Sequence, residues 1–361
     1  MKRNLEVIQV FRGIAAVAVV LHHASLGIQA LPGFTATSRP FFVERFFNAD
    51  VGAVGVDLFF VISGFIMSYT ARRGGLHQAR EFLVRRAVRI YPLYWLCSLV
   101  MIAVLVSPWV QGFHAQPLAL FQSFVLYPTL YEQSVRPVIL AQGWTLIYEV
   151  LFYLIFALTL WQTRVRQCIS VLGALALLFT FAHLLPGLHP VLVLLRDQVL
   201  FEFVFGLVLG LIITETAFRF SAPAAWVVIG AGLLLLAPSA FHDGYGWQIP
   251  RLWKFGVPAF LLIGGSVLRR DVESLRFPSA LGVMGDASYS IYLMHVVVFL
   301  LCHTARLRLH FLQTLPFDVY FLLLSGCAVA IGVVFHFVAE KPLIRYCRNL
   351  VEPRANRPVY A

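Results

Sequence analysis

Ten apolar stretches, each about as long as a bilayer is thick, constrain this chain more than any other feature. A hydrocarbon core of ~30 Å takes ~20 helical residues to cross. Segments 5–26, 51–70, 84–106, 142–161, 167–186, 190–213, 223–241, 252–268, 286–304 and 317–338 meet that length. In lipid a backbone has no water to bond to, so each stretch has to satisfy itself as a helix. The pattern predicts an all-α, polytopic membrane protein of about ten transmembrane helices. Composition excludes the main alternatives. Of 361 residues, 60% are hydrophobic and only 12% are charged, against roughly 25% charged in a soluble domain. A soluble fold, a disordered chain, a coiled coil and a disulfide scaffold are all ruled out.

Charge sets the orientation. With the N-terminus in the cytoplasm, 19 of the 28 basic residues fall on the cytoplasmic side and eight fall outside. The remaining one, Arg12, lies inside the first span. That asymmetry predicts ten spans with both termini cytoplasmic. It also explains the net charge of +11 without a nucleic-acid partner. Residues 1–340 read as one transmembrane unit and 341–361 as a basic cytoplasmic tail. The stretch 117–127 is too short to span and contains Pro117 and Gln122, so it reads as a re-entrant or interfacial piece. Lys2, Arg3 and the run 13–21 have the outline of a signal peptide. Arg12 interrupts that outline and no small-x-small cleavage site follows, so the segment is expected to stay as the first span. The five cysteines are scattered without a CxxC pair and read as apolar packing residues. No metal site is evident, because no histidine has ligand spacing with Cys or acidic partners.

Ionisable groups inside a membrane are functional suspects. Arg12 and His23 are 11 residues apart, about three helical turns plus 20°, or ~16 Å along one face. A fixed cation and a titratable base thus sit at two depths of one pathway. The bland reading is that Arg12 snorkels and His23 bonds a neighbouring helix. The second span carries GVDLFFVISGF, residues 55–65, with Asp57 in its outer half. A carboxylate there can orient an imidazole or simply meet water. Gly52, Gly55 and Gly64 read as close-packing positions.

The third span opens RRAVRIYPLYW, residues 85–95. Arg85, Arg86 and Arg89, with Arg72 and Arg73, form a cytoplasmic cluster able to hold phosphates. The same cluster also serves as a topology and headgroup signal. In GWTLIYE, residues 143–149, Trp144 is an interfacial anchor and Glu149 lies deeper. An unpaired carboxylate at that depth is costly. Glu202 raises the same question, whereas Arg196 and Asp197 are expected to pair. In GDASYSIYLMH, Tyr289, Tyr292 and His295 recur every three residues and share a face, with Asp286 or Ser288 as the expected cap.

Taken together and in order, these motifs resemble the acyltransferase-3 family of integral-membrane acyltransferases over essentially the whole chain. The exopolysaccharide O-acetyltransferase branch is the nearest in character. Some relatives add an SGNH-type domain; this chain ends at Ala361 without one, so transfer is expected to be completed by the membrane unit or with a partner protein. The resemblance implies a multi-pass protein of the bacterial inner membrane. It implies an acyl-CoA donor, usually acetyl-CoA, bound from the cytoplasm, and a sugar hydroxyl of an envelope polysaccharide or lipid-linked glycan as acceptor. His23 is then the base, with Asp57 or Glu149 orienting it and Arg12 polarising the thioester or holding the donor. Arg85, Arg86, Arg89, Arg72 and Arg73 bind the donor. Trp144, Glu202, Tyr292 and His295 line the acceptor side. Membrane lipid and a second copy of the chain are the other expected partners. The competing reading is a proton-coupled transporter or flippase of a glycan or lipid, with Arg12, His23, Asp57 and Glu149 as its relay. A non-catalytic membrane subunit is a third.

Overall fold

A computed structural model describes residues 2–31, 33–34, 41–43, 51–71, 73–108, 110, 114–131, 133–241 and 249–351. Arg72 and residues 352–361 of the tail lie outside the described residues. The architecture is helical throughout. Among the described residues the strands are one antiparallel two-residue pair, Leu130–Tyr131 against Ser134–Val135.

The principal helices are α1 (Lys2–Gln29), α2 (Val54–Thr70), α3 (Leu76–Leu105), α4 (Pro117–Phe124), α5 (Trp144–Ala157), α6 (Arg164–Leu184), α7 (Glu202–Glu215), α8 (Ala222–Phe241), α9 (Val257–Val267), α10 (Ser279–Asp286), α11 (Ser288–Arg308), α12 (Phe317–Phe335) and α13 (Lys341–Val351). Six helical segments are long and apolar enough to cross a membrane: Asn4–Gln29, Leu76–Leu105, Arg164–Leu184, Gln198–Glu215, Ser288–Arg308 and Phe317–Val351. Four shorter apolar ones are Val54–Thr70, Ala141–Ala157, Ala222–Ala237 and Leu252–Val267. Each overlaps one of the ten stretches read from the sequence. Large apolar side chains cover the outside: Val227 is 72% exposed, Leu234 73% and Val338 72%. An exterior this greasy is stable only against lipid.

Small residues let the inner helices approach closely. A Cβ on Gly64 would stand 2.0 Å from the Phe203 carbonyl oxygen, and one on Gly206 would stand 2.0 Å from that of Val61. The α2–α7 pair is therefore in backbone contact, which only glycine permits. Gly55 meets the Ala15 carbonyl and Gly52 meets His22 in the same way, so α1 also lies tight against α2.

Several local expectations change. The stretch 190–213 is not one helix. A short helix, Pro190–Leu195, stops at Arg196, and Asp197 caps a new turn by accepting from the Val199 amide at 3.0 Å. Arg196 and Asp197 do not pair. Arg196 donates to the Ala182, Leu185 and Gly187 carbonyls, and Asp197 accepts from the Tyr148 hydroxyl at 2.8 Å. Neither Asp286 nor Ser288 caps α11, whose N-cap residue is Ala287; Asp286 instead accepts from Gln9 at 2.6 Å.

The stretch 117–127 contains the two-turn α4, held against α3 by that helix's aromatic motif. Tyr94 donates to the Ser123 carbonyl (3.0 Å) and Trp95 to that of Phe124 (2.8 Å). These bonds occupy carbonyls that a helix C-terminus leaves open. The last apolar helix passes through a π-helical turn, His336–Glu340, into the amphipathic α13, which packs on α3.

Candidate active site

Helices α1, α2, α3, α5 and α11 enclose a cavity of ≈ 740 Å³, counted out to its mouth. Arg12, Arg86 and Arg89 all line it, together with Glu149, Ser63, Tyr289 and Tyr292. Among the described residues none of the three guanidiniums is in an ion pair. Arg12, 9% exposed, donates to Gln9 at 2.9 Å. Arg86 lies over the Phe82 and Tyr153 rings, 5.3 and 5.4 Å from their centroids. Glu149 accepts from Ser63 at 2.9 Å and also from Tyr153. Three cations against one carboxylate leave the chamber positive, in a setting where charge is poorly screened. The Ser288 hydroxyl, also on its wall, is buried without a hydrogen-bond partner.

The arginine cluster read from the sequence divides. Arg85 points away, paired with Glu81 one helical turn earlier. Arg73 joins Arg164 on Glu215, at 3.4 and 2.8 Å. Only Arg86 and Arg89 turn inward to meet Arg12. Arg85 shares a helix face with Arg89 at i,i+4, so it is the ion pair with Glu81 that turns its side chain away.

His23 does not line the cavity. Its ring lies 5.1 Å from that of His295. Tyr292 is held in the chamber wall: its hydroxyl donates to the Gln142 carbonyl at 2.9 Å and lies 2.9 Å from Thr145 Oγ1. His23 Nδ1 is 3.0 Å from the Val19 carbonyl and His295 Nδ1 is 2.6 Å from that of Tyr292. A carbonyl only accepts, so both rings carry their proton on Nδ1 and leave Nε2 with a lone pair. His295 Nε2 is buried with no partner. Tyr289, Tyr292 and His295 do share one face of α11: the first two line the cavity and the third meets His23. His22 turns against Gly52 instead.

Neither expected carboxylate orients His23. Both Asp57 oxygens are taken by Arg251, at 3.1 and 2.8 Å, and Glu149 is engaged by Ser63 and Tyr153. The Val19 carbonyl and the His295 ring fix the imidazole in their place. Asp57 is fully buried. Glu202, also fully buried, packs its carboxyl against that of Asp57, and no donor among the described residues reaches either of its oxygens. The Arg251 guanidinium lies 5.8 Å from the Trp144 ring centroid and 5.8 Å from that of Phe255. Trp144, Glu202, Asp57 and Arg251 thus form a second charged cluster. Sequence reasoning missed Arg251, which reads as one more basic residue in an outer loop. Only its position at the edge of an apolar stretch distinguishes it.

A polytopic helical membrane protein with a buried, arginine-lined chamber beside two imidazoles is the class that fold and site define. The acyltransferase domain family matches residues 5–337, and the chain belongs to that family, acyltransferase 3. It is 31% identical to the exopolysaccharide production protein ExoZ of Rhizobium meliloti (strain 1021) over 301 residues, 82% of this chain and 90% of that protein. It is 29% identical to the acyltransferase MdmB of Streptomyces mycarofaciens over 337 residues, 82% of this chain and 81% of that one. No solved structure matches.

Proposed function

We propose that the chain is a membrane O-acyltransferase. It moves an acyl group, acetyl in our reading, from cytoplasmic acyl-CoA to a hydroxyl of an envelope polysaccharide or lipid-linked glycan. In this reading the ten apolar helices all span the bacterial inner membrane, with both termini in the cytoplasm. The observation that carries it is the convergence of Arg12, Arg86 and Arg89 on one chamber. Coenzyme A is polyanionic, and guanidiniums bind phosphate through paired hydrogen bonds. Arg86 and Arg89 hold the donor near the cytoplasmic end of α3, and Arg12 holds it from α1. The acyl end has to extend beyond the chamber to reach the imidazoles. ExoZ is named for exopolysaccharide production, which supports a glycan acceptor.

A hydroxyl is a weak nucleophile near neutral pH and needs a positioned base. His23 Nε2 removes the acceptor's proton as its oxygen attacks the thioester carbonyl. Arg12, ~16 Å from His23 along α1, holds the donor rather than the reacting carbonyl. The C–S bond then breaks, and the proton on His23 passes to the departing thiolate. Ester and free CoA–SH are the products, with atoms and charge balanced. Asp57 acts as a positioning residue for Arg251, and Glu149 for the Ser63 and Tyr153 hydroxyls.

Direct titration of the detergent-solubilised chain with acetyl-CoA tests the donor site. Arg86→Ala and Arg89→Ala should each weaken binding by about tenfold or more, as expected for a lost charge-assisted contact of ~1.5–3 kcal/mol. Arg85→Ala, whose side chain is turned to Glu81, should bind like the parent. Equal effects at all three positions would make the cluster a nonspecific basic patch.

A further inference from the structure

A second concavity lies at the other end of the molecule from the Arg73–Glu215–Arg164 cluster. The two are separated along α7, whose 14 residues span ~20 Å. This groove of ≈ 900 Å³ is lined by Gln133, Arg196, Asp197, Gln198 and Arg251. Its polar groups are of two kinds. Some are locked by the protein. Arg251 is clamped by buried Asp57 through two of its five N–H groups, and its side chain is 33% exposed. Among the described residues its other three N–H groups have no partner. Asp197 is fixed by the Tyr148 hydroxyl and the Val199 amide. Arg196 is fully engaged with backbone carbonyls.

The others, the Gln133 and Gln198 amides, have no partner among the described residues. Gln133 stands in the turn of the Leu130–Val135 hairpin with φ +65°. That left-handed conformation is easy for glycine or asparagine and costs glutamine more. Residues kept in such conformations cluster at binding sites.

The groove also adjoins the donor chamber. Trp144 stacks near Arg251, and the next residue, Thr145, lines the arginine chamber. The first turn of α5 thus touches a residue of the groove on one side and lines the chamber on the other.

We propose that this groove is the acceptor subsite, where a segment of oligosaccharide is held by hydroxyl hydrogen bonds to Gln133, Gln198, Asp197 and the unoccupied side of Arg251. The inference rests on the acyltransferase reading above. Pre-fixed donors and acceptors interspersed along a groove suit a polyol, each of whose hydroxyls both gives and accepts. A fatty acyl chain or lipid tail would leave them unpaired. Bound there, the glycan lies against Arg251 and so beside Trp144, whose neighbour Thr145 lines the arginine chamber.

The probe is the producing cell's own extracellular polysaccharide, stripped of esters by mild base and cut to oligosaccharides. Its binding to the full detergent-solubilised chain is titrated without donor, and acetyl-CoA binding is titrated in parallel. The variant is Gln133→Asn with Gln198→Ala; asparagine tolerates the left-handed backbone while withdrawing the amide by one methylene. The proposal predicts saturable binding by the parent, weakened about tenfold or more in the double variant, the effect of two neutral hydrogen bonds. Acetyl-CoA binding should be unchanged, which also shows that the variant is folded. Equal glycan binding by parent and variant overturns the groove as acceptor site. So does a parent that binds acetyl-CoA but no glycan, although the donor reading then survives. A parent that binds neither removes the acyltransferase reading, and this subsite with it.

Discussion

Removing the Arg251 guanidinium should destabilise the protein more than its loop position suggests. Asp57 is completely buried and takes both of its bonds from Arg251, at 3.1 and 2.8 Å. In Arg251→Met that carboxylate keeps its burial and loses the only cation paired with it among the described residues, while Glu202 beside it offers another acid. Breaking one side of a buried ion pair costs about 3–5 kcal/mol. The Arg251 side chain is 33% exposed, so the lower end, about 3 kcal/mol, is expected. At ~2.1 cal/mol/K per residue of unfolding entropy over 361 residues, the melting midpoint should fall by about 4 °C. The cost belongs to the stranded charge. Adding Asp57→Asn to Arg251→Met removes that charge and should recover most of the loss. The assay is thermal unfolding of the parent, both single variants and the double in one detergent. If the double variant is as unstable as the sum of the singles, the stranded-charge explanation is refuted. The two residues would then contribute independently.

Two further outcomes follow from the packing and the loops. Gly64→Val places a side chain where the Phe203 carbonyl already stands, 2.0 Å from the new Cβ. Backbone cannot yield as a side chain can, so the loss should reach or exceed the ~3 kcal/mol upper range of overpacking, read as a lowered midpoint or failure to purify. In the loop after α9, hydrogen bonding by Arg269 holds the Asp271 carboxyl below the usual carboxylate range. Its contribution is therefore present above the unfolded carboxylate's pKa, near ~3.9, and fades as pH falls through the lowered value. Parent and Asp271→Asn should differ in midpoint near neutral pH and converge in acid; a gap that persists at low pH would contradict this.

Much of the fold was legible because a bilayer imposes length and apolarity on every crossing element. The residues of the arginine-lined chamber were legible for a related reason. Arg12, Arg86, Arg89 and Glu149 are conspicuous because charge is rare in such stretches. Their partners were not legible. Asp57 is bound by a residue 194 positions away, and nothing local to either signals that pairing. The short-range reading of Arg196 with Asp197 failed for a complementary reason. A chain break between two helical segments gave Arg196 three nearby carbonyls and gave Asp197 an amide to cap. The shared face of Arg12 and His23 was correct as helix geometry. His23 nevertheless meets His295 rather than the chamber, and only the tertiary structure brings that ring, from a distant helix, against it.

The central claim is that His23 drives acyl transfer from a donor held by arginines. It is tested most directly by incubating the purified chain and His23→Ala with radiolabelled acetyl-CoA and the cell's ester-stripped polysaccharide. The account predicts label on the polysaccharide with the parent. With His23→Ala it predicts at least a 100-fold loss, on the order of what a general base supplies, at unchanged acetyl-CoA affinity. Undiminished transfer by His23→Ala would contradict the account.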